Sequence, residues 1–287
     1  MKPAETLKLI ECPRDAMQGL SRFISTEDKI AYLNLLLKAG FHTLDFGSFV
    51  SPKAVPQMAD TPTVLKGLDL SSSQTKLLAI IANLRGADNA LSHEAINCLG
   101  YPFSISETFQ KRNTNAGIDA SLSTVEELLL KCSKANKTAV IYLSMAFGNP
   151  YGEAWNEELA GKWTKELVER GASVIALSDT IGAAEPESIA RLYTHVSSQF
   201  PETEFGVHLH SLPHNWREKV DAAYQAGCRR FDSALKGFGG CPMAADTLTG
   251  NIATENVIAF LAENNEDPGL DMTMFQKALD YSAKIFH

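Results

Sequence analysis

Residues 173–210 read SVIALS, DTIGAA, EPESIARLYTHVSSQF and PETEFGVHLH, a complete strand, helix and strand. The two flanking runs are short and apolar, as strands buried on both faces are. Between them Glu185-Pro186-Glu187 opens a helical pattern, because proline in the first turn has no needed N–H to lose and the acids meet the positive end of the helix dipole. Neighbouring strands joined by such a crossover run parallel.

The same alternation recurs outward in both directions. Strand segments are expected at 7–12, 43–49, 76–82, 95–100, 138–146, 173–178, 204–210 and 229–234, spaced widely enough for one crossover helix each. Ser25-Thr26-Glu27-Asp28 precedes IAYLNLLLKAG, with Ser25 or Thr26 as the cap and Gly40 at the left-handed end. Ser123-Thr124-Val125-Glu126-Glu127 is read as opening LLLKCSKAN, and further helices run from Glu157 to Gly171, Glu185 to Phe200 and Trp216 to Gly227. Eight such units in a chain of this length predict a closed (β/α)8 TIM barrel, of which about 250 residues is the usual size. The expected organisation is one catalytic barrel domain over 1–287, with an extra amphipathic helix in 271–287. An open doubly wound sheet is the alternative.

Composition narrows the function. The chain has 287 residues, 45% apolar and 21% charged, so a large core is within reach. Its 26 Lys and Arg against 34 Asp and Glu give a net charge of -8, which argues against nucleic acid or an acidic membrane as partner. No apolar run approaches the roughly 18 residues of a membrane span. Cys12, Cys98, Cys132, Cys228 and Cys241 are scattered, without a CxxC pair, which points to a reducing cytoplasm rather than a disulfide scaffold.

In a barrel the chemistry gathers at the C-terminal strand ends. There, His208-Leu209-His210 turns two imidazoles to one face of the seventh strand, half of a metal site or else a hydrogen-bonded core pair. The first strand ends in Glu11-Cys12-Pro13-Arg14-Asp15, a set of charges that needs a chemical partner or forms a buried ion pair. After the eighth strand, Gly237-Phe238-Gly239-Gly240-Cys241-Pro242-Met243 and Thr249-Gly250-Asn251 join a glycine-rich segment, a thiol and a carboxamide. A carboxylate, two imidazoles and an amide oxygen suit Mg²⁺ or Mn²⁺ with positions left for substrate. No Gly-x-Gly-x-x-Gly follows a strand, and neither a Walker loop nor a Gly-x-Ser-x-Gly elbow is present.

These residues resemble the 3-hydroxy-3-methylglutaryl-CoA lyases, within a wider group of barrel metallolyases that includes isopropylmalate and homocitrate synthases. The resemblance spans nearly the whole chain. It rests on Pro13-Arg14-Asp15 with Gln18, the run Ser48-Phe49-Val50-Ser51-Pro52-Lys53, Asn83-Leu84-Arg85-Gly86, Ser178-Asp179-Thr180-Ile181-Gly182, His208-Leu209-His210, Gly239-Gly240-Cys241-Pro242 and Gly250-Asn251. It implies Asp15, His208, His210 and Asn251 as ligands of the metal, Arg14 as stabiliser of an enolate, Cys241 as a proton-transferring thiol, and Asp179 as a further acid nearby. Asp45 stands where the family carries a catalytic glutamate, one methylene shorter, and Ser211 replaces an aspartate after His-x-His. The implied reaction is cleavage of 3-hydroxy-3-methylglutaryl-CoA to acetyl-CoA and acetoacetate, the closing step of leucine breakdown. Lys53, Arg85, Lys111 and Arg112 are candidate contacts for the CoA phosphates, and a homodimer is the candidate assembly. Asp45 and Ser211 motivate a second reading, the same chemistry on another acyl-CoA or a 2-oxo acid; a barrel kept only for binding is a third.

Overall fold

The computed structural model describes residues 6–240 and 249–286. Its strands are β1 (Lys8–Glu11), β2 (Thr43–Ser48), β3 (Lys76–Ile80), β4 (Cys98–Ser104), β5 (Thr138–Ser144), β6 (Val174–Asp179), β7 (Glu204–Leu209) and β8 (Arg230–Ser233). They close in chain order into a parallel barrel, β8 pairing with β1. The helices are α1 (Pro13–Gln18), α2 (Thr26–Ala39), α3 (Thr61–Lys66), α4 (Leu84–Leu91), α5 (Glu107–Thr114), α6 (Ile118–Lys134), α7 (Glu157–Glu169), α8 (Pro186–Gln199), α9 (Trp216–Gln225), α10 (Thr254–Glu263) and α11 (Met272–Ile285). The barrel reading therefore holds and the open sheet does not. No helix among the described residues is long and apolar enough to cross a membrane.

Most ends follow from local chemistry. Ser25 caps α2, its hydroxyl accepting from the Asp28 N–H at 3.1 Å, and Gly40 ends it in the left-handed region at φ 87°. Two ends differ from the sequence expectation. Helix α6 begins at Ile118, behind Gly117, rather than at Ser123. Ser123 and Thr124 are interior residues whose hydroxyls donate back to the carbonyls of Asp119 and Ala120, a bond that mimics cap chemistry in sequence but lies within the helix. Strand β4 runs from Cys98 to Ser104, past the expected stop at residue 100, and includes Pro102. Its pairing to β3 ends at Gly100, so the missing proline N–H falls where that edge is already open.

The added C-terminal helix is α11, which packs on α2. Tyr281 stacks on Tyr32 with centroids 6.4 Å apart, and its hydroxyl donates to Asp28 at 2.9 Å. Glu11, at the end of β1, turns away from the barrel axis and accepts from the Leu235 N–H and the Thr254 hydroxyl. Burial pushes its carboxyl up to about 8, so it acts as a tie between β1, β8 and α10.

Candidate active site

Pro13 starts α1 immediately after β1, and this short turn of helix aims Arg14 and Asp15 into the barrel mouth. Arg14 is held there through four of its five N–H groups. Its Nε donates to Asp45 Oδ2 at 3.0 Å and its Nη2 to the same oxygen at 2.5 Å, while Nη1 donates to Asp15 Oδ1 and Gln18 Oε1, both at 3.0 Å. Asp45 reaches the guanidinium despite its shorter side chain because the β2–β3 register slips between Asp45 and Gly47. It lies behind Arg14 and is not among the residues lining the pocket.

The charges are unequal in consequence. Burial opposes ionisation of Asp15, but Arg14, His208, His210 and the Asn251 hydrogen bond outweigh it and lower the carboxyl to about 2. Burial dominates at Asp45, which rises to about 6 even with Arg14 beside it. Asp15 therefore keeps its charge far into acid, whereas Asp45 takes up a proton on mild acidification.

On β7 the two histidines face the same pocket, with ring centroids 5.3 Å apart. His210 Nδ1 lies 3.1 Å from the Thr180 carbonyl, which can only accept, so this nitrogen carries the proton and Nε2 keeps its lone pair. That Nε2 is buried and has no hydrogen-bond partner among the described residues. His208 Nδ1 lies 3.3 Å from Asp232 Oδ2, in an arrangement that orients a ligating imidazole. One ligand atom each from Asp15, His208 and His210 falls within 4.8 Å of the others. An orphaned, buried ring nitrogen facing a charged carboxylate and a second imidazole fits a divalent cation. Burial and the neighbouring His208 push His210 down to about 4, so it is neutral and ready to ligate near pH 7.

Asn251 joins the cluster through its nitrogen, which donates to Asp15 Oδ2 at 2.7 Å and to the Phe238 carbonyl at 2.9 Å. Gly239 closes on the same spot with φ 111°; a Cβ there would stand 3.0 Å from Asp15 Oδ2 and closer still to the Asn251 nitrogen. The described part of the glycine-rich segment, up to Gly240, thus approaches the site closely. Cys241, expected on this segment, lies outside the described residues.

The pocket above the triad has an apolar wall of Val50, Val55, Ile80 and Phe109 and a polar side that includes Ser144, Ser178 and Thr180. Asp179 is not in it, contrary to the expectation of a nearby acid. Strand alternation turns Asp179 outward, where Lys219 of α9 donates to it at 2.8 Å and also to the His210 and Gly182 carbonyls. The pair is fully buried, each side chain 1% exposed. Lys219→Met is expected to cost about 3–5 kcal/mol in urea unfolding by stranding the Asp179 charge, and Lys219→Met with Asp179→Leu to recover most of it. A single variant as stable as the parent would show that the pair carries no such load.

The four basic candidates sit on the rim. Lys53 and Arg85 are exposed, Lys111 pairs with Glu107 one turn earlier at 2.9 Å, and Arg112 lies over Tyr151, 4.9 Å from the ring centroid. Sequence reading missed Asp232, Tyr142 and Lys219. Tyr142 packs edge-on against His208 with centroids 5.7 Å apart, and Asp232 is the residue directly opposite His208 in the β7–β8 register. The signal for Asp232 was its place at the end of a buried strand, where a carboxylate requires a partner.

The HMGL-like family model matches residues 8–281. The hydroxymethylglutaryl-CoA lyase YngG of Bacillus subtilis is 35% identical over 88% of this chain and 83% of its own length. Human cytoplasmic 3-hydroxy-3-methylglutaryl-CoA lyase is 32% identical over 98% of this chain and 75% of its own. The crystal structure of a Bacillus subtilis HMG-CoA lyase superposes with a TM-score of 0.91 at 32% identity, covering 99% of this chain and 94% of that one. An HMG-CoA lyase from Acinetobacter baumannii, in complex with coenzyme A and 3-methylmalate, superposes with a TM-score of 0.90 at 29% identity, covering 100% and 93%. With its motifs, its barrel and its triad in agreement, the chain belongs to the HMGL-like family.

Proposed function

We propose that this enzyme, of the oxo-acid lyase type, cleaves 3-hydroxy-3-methylglutaryl-CoA to acetyl-CoA and acetoacetate, with a divalent ion held by Asp15, His208, His210 and Asn251. The observation that carries the reading is the convergence of Asp15, His208 and His210 beside Arg14, at the mouth of a barrel of this family. When bound, Mg²⁺ or Mn²⁺ supplies Lewis-acid polarisation of substrate oxygens. Asn251 takes part once its amide turns oxygen inward, which gives up the hydrogen bonds its nitrogen makes to Asp15 and the Phe238 carbonyl, and a cation between Asp15 and that oxygen would offset the loss.

In the reaction the 3-hydroxyl gives up its proton to solvent, its oxygen becomes the ketone of acetoacetate, the C2–C3 bond breaks, and the bonding pair passes to C2 as the enolate of acetyl-CoA, which takes one proton back so that the overall step is proton-neutral. Arg14 has five N–H groups. Four of them serve Asp45, Asp15 and Gln18, leaving one on Nη2 to meet the developing enolate oxygen. Asp45 positions that fork from behind. Cys241, on the glycine-rich segment, returns a proton to C2, and the apolar wall excludes water from the enolate. Lys53, Arg85, Lys111 and Arg112 offer positive charge to the CoA phosphates, supported by their place on the loops and helices that follow β2, β3 and β4. One catalytic barrel over 1–287, a cytoplasmic setting, a role in leucine breakdown and homodimerisation belong to the same reading.

The second reading, another acyl-CoA or a 2-oxo acid, is favoured by Asp45 and Ser211. Comparing kcat/KM for 3-hydroxy-3-methylglutaryl-CoA with those for shorter 3-hydroxyacyl-CoAs and for 2-oxo acids plus acetyl-CoA separates the two. The proposal expects the first substrate to lead by at least about tenfold, or about 1.4 kcal/mol. A lead by any other substrate gives the second reading.

A further inference from the structure

Cys12 is absent from the chemistry above, yet its sulfur lies under the pocket floor. One ligand atom each from Cys12, His208 and Asp232 falls within 4.8 Å of the others. Cys12 and Asp232 are deeply buried, 0% and 4% exposed, and His208, 9% exposed, separates them from the pocket it lines. Among the described residues Asp232 Oδ1 has no hydrogen-bond partner, a costly state for a buried carboxylate oxygen even with the charge of Arg230 acting on Asp232. The thiol makes one weak contact, 3.9 Å to the Ile10 carbonyl.

The spacing within this set is telling. His208 Nδ1 and Asp232 Oδ2 are 3.3 Å apart, longer than the 2.7–2.9 Å usual for a charge-assisted hydrogen bond. That separation is close to the edge of a tetrahedron around zinc, about 3.4 Å for bonds of about 2.1 Å. Burial first, and then the carboxylates of Asp232, Asp45, Asp15 and Glu11, hold the Cys12 thiol well above its ordinary range. A cation among them offsets the same crowding of negative charge, and a thiolate with an imidazole and a carboxylate selects a softer ion than the oxygen-and-nitrogen triad above it.

We propose that Cys12, His208 and Asp232 form a second cation site, for a thiophilic divalent ion such as Zn²⁺ or Cd²⁺, and that it competes with the upper site through the shared His208. Binding exchanges the thiol proton for the ion. With the ion on Nδ1 the imidazole proton resides on Nε2, which then has no lone pair for an ion held with Asp15 and His210. The competition, though not the lower site itself, rests on the proposed Mn²⁺ or Mg²⁺ site.

The test is a Cd²⁺ titration of the full chain, followed by thiolate-to-metal charge-transfer absorption in the ultraviolet and, with Mn²⁺ preloaded, by the electron paramagnetic resonance of released Mn²⁺. The wild-type protein is expected to develop the band and release Mn²⁺ in step with it. Cys12→Ala and the closer isostere Cys12→Ser are expected to lose the band and keep Mn²⁺ at the same Cd²⁺ concentration, whereas Cys241→Ala keeps the band. No band in the wild type, or a band that survives loss of Cys12, overturns the lower site. Mn²⁺ release unchanged in the Cys12 variants overturns the competition. A band that depends on Cys12 in a protein that binds no Mn²⁺ leaves the lower site standing and removes the upper one.

Discussion

Arg14→Lys is expected to lower kcat on 3-hydroxy-3-methylglutaryl-CoA by about 10²- to 10³-fold, the usual loss when a preorganised donor to a developing oxyanion is removed. KM is expected to stay within about threefold, since the interaction is made in the transition state. The reason is geometric. The guanidinium is fixed on three sides by Asp45, Asp15 and Gln18, so its remaining hydrogen is aimed before substrate arrives. A lysine ammonium is a point charge with three rotatable donors and cannot satisfy those partners while keeping one donor in a fixed direction. Circular dichroism and Mn²⁺ stoichiometry check that the variant remains folded with its site intact. A kcat within about threefold of the parent, under about 0.7 kcal/mol, would make Arg14 a structural ion-pair partner only.

His208→Ala and His210→Ala are expected to abolish both turnover and the binding of one Mn²⁺ per chain measured by calorimetry. Each removes a neutral nitrogen ligand, and what remains is Asp15 and the amide of Asn251 with a single imidazole, too weak a set to hold an ion in competition with water. Acid is expected to do the same reversibly. His210, pushed down to about 4, stays neutral through mild acid, whereas Asp232 and Asp15 oppose the desolvation of His208 and raise its value above the usual 6.5. Ligation needs the neutral ring, so Mn²⁺ affinity falls as pH drops through the titration of His208, and the loss begins above that of an ordinary histidine. Full Mn²⁺ binding in both alanine variants would place the ion elsewhere.

The barrel was legible because its strands are buried on both faces and its helices carry strong end signals, Gly40 and Glu185-Pro186 among them. Where the reading slipped, a local motif had two meanings. Ser123-Thr124 has the chemistry of a cap but bonds backward inside α6, and the strand expected at 95–100 runs on through Pro102 because the β4 edge toward β3 is open beyond Gly100. The spacing of His208 and His210 put both rings on one face but left a metal site and a hydrogen-bonded core pair open, because it does not show that Asp15 comes beside them. Asp179 was misplaced because the motif around it fixes its position in sequence but not the face it takes, and the deciding partner, Lys219, is 40 residues away on α9. Asp232 was missed for the same reason, as its partner His208 lies 24 residues earlier on another strand. The reach of Asp45 to Arg14 depends on a register slip between β2 and β3, which only the folded sheet displays.

The central claim is that carbon-carbon cleavage occurs at the Asp15–His208–His210 mouth with a bound divalent ion. ¹³C nuclear magnetic resonance of 3-hydroxy-3-methylglutaryl-CoA labelled at C2 and C3 follows that bond directly, using chelator-treated protein before and after addition of Mn²⁺ and removal of the free ion. The account predicts no change before addition. Afterwards it predicts loss of the C2–C3 coupling, with the C2 label in the methyl group of acetyl-CoA and the C3 label in the ketone of acetoacetate in equal amounts. Substrate left intact with Mn²⁺ bound, or label recovered with the C2–C3 bond unbroken in free 3-hydroxy-3-methylglutarate, would contradict it.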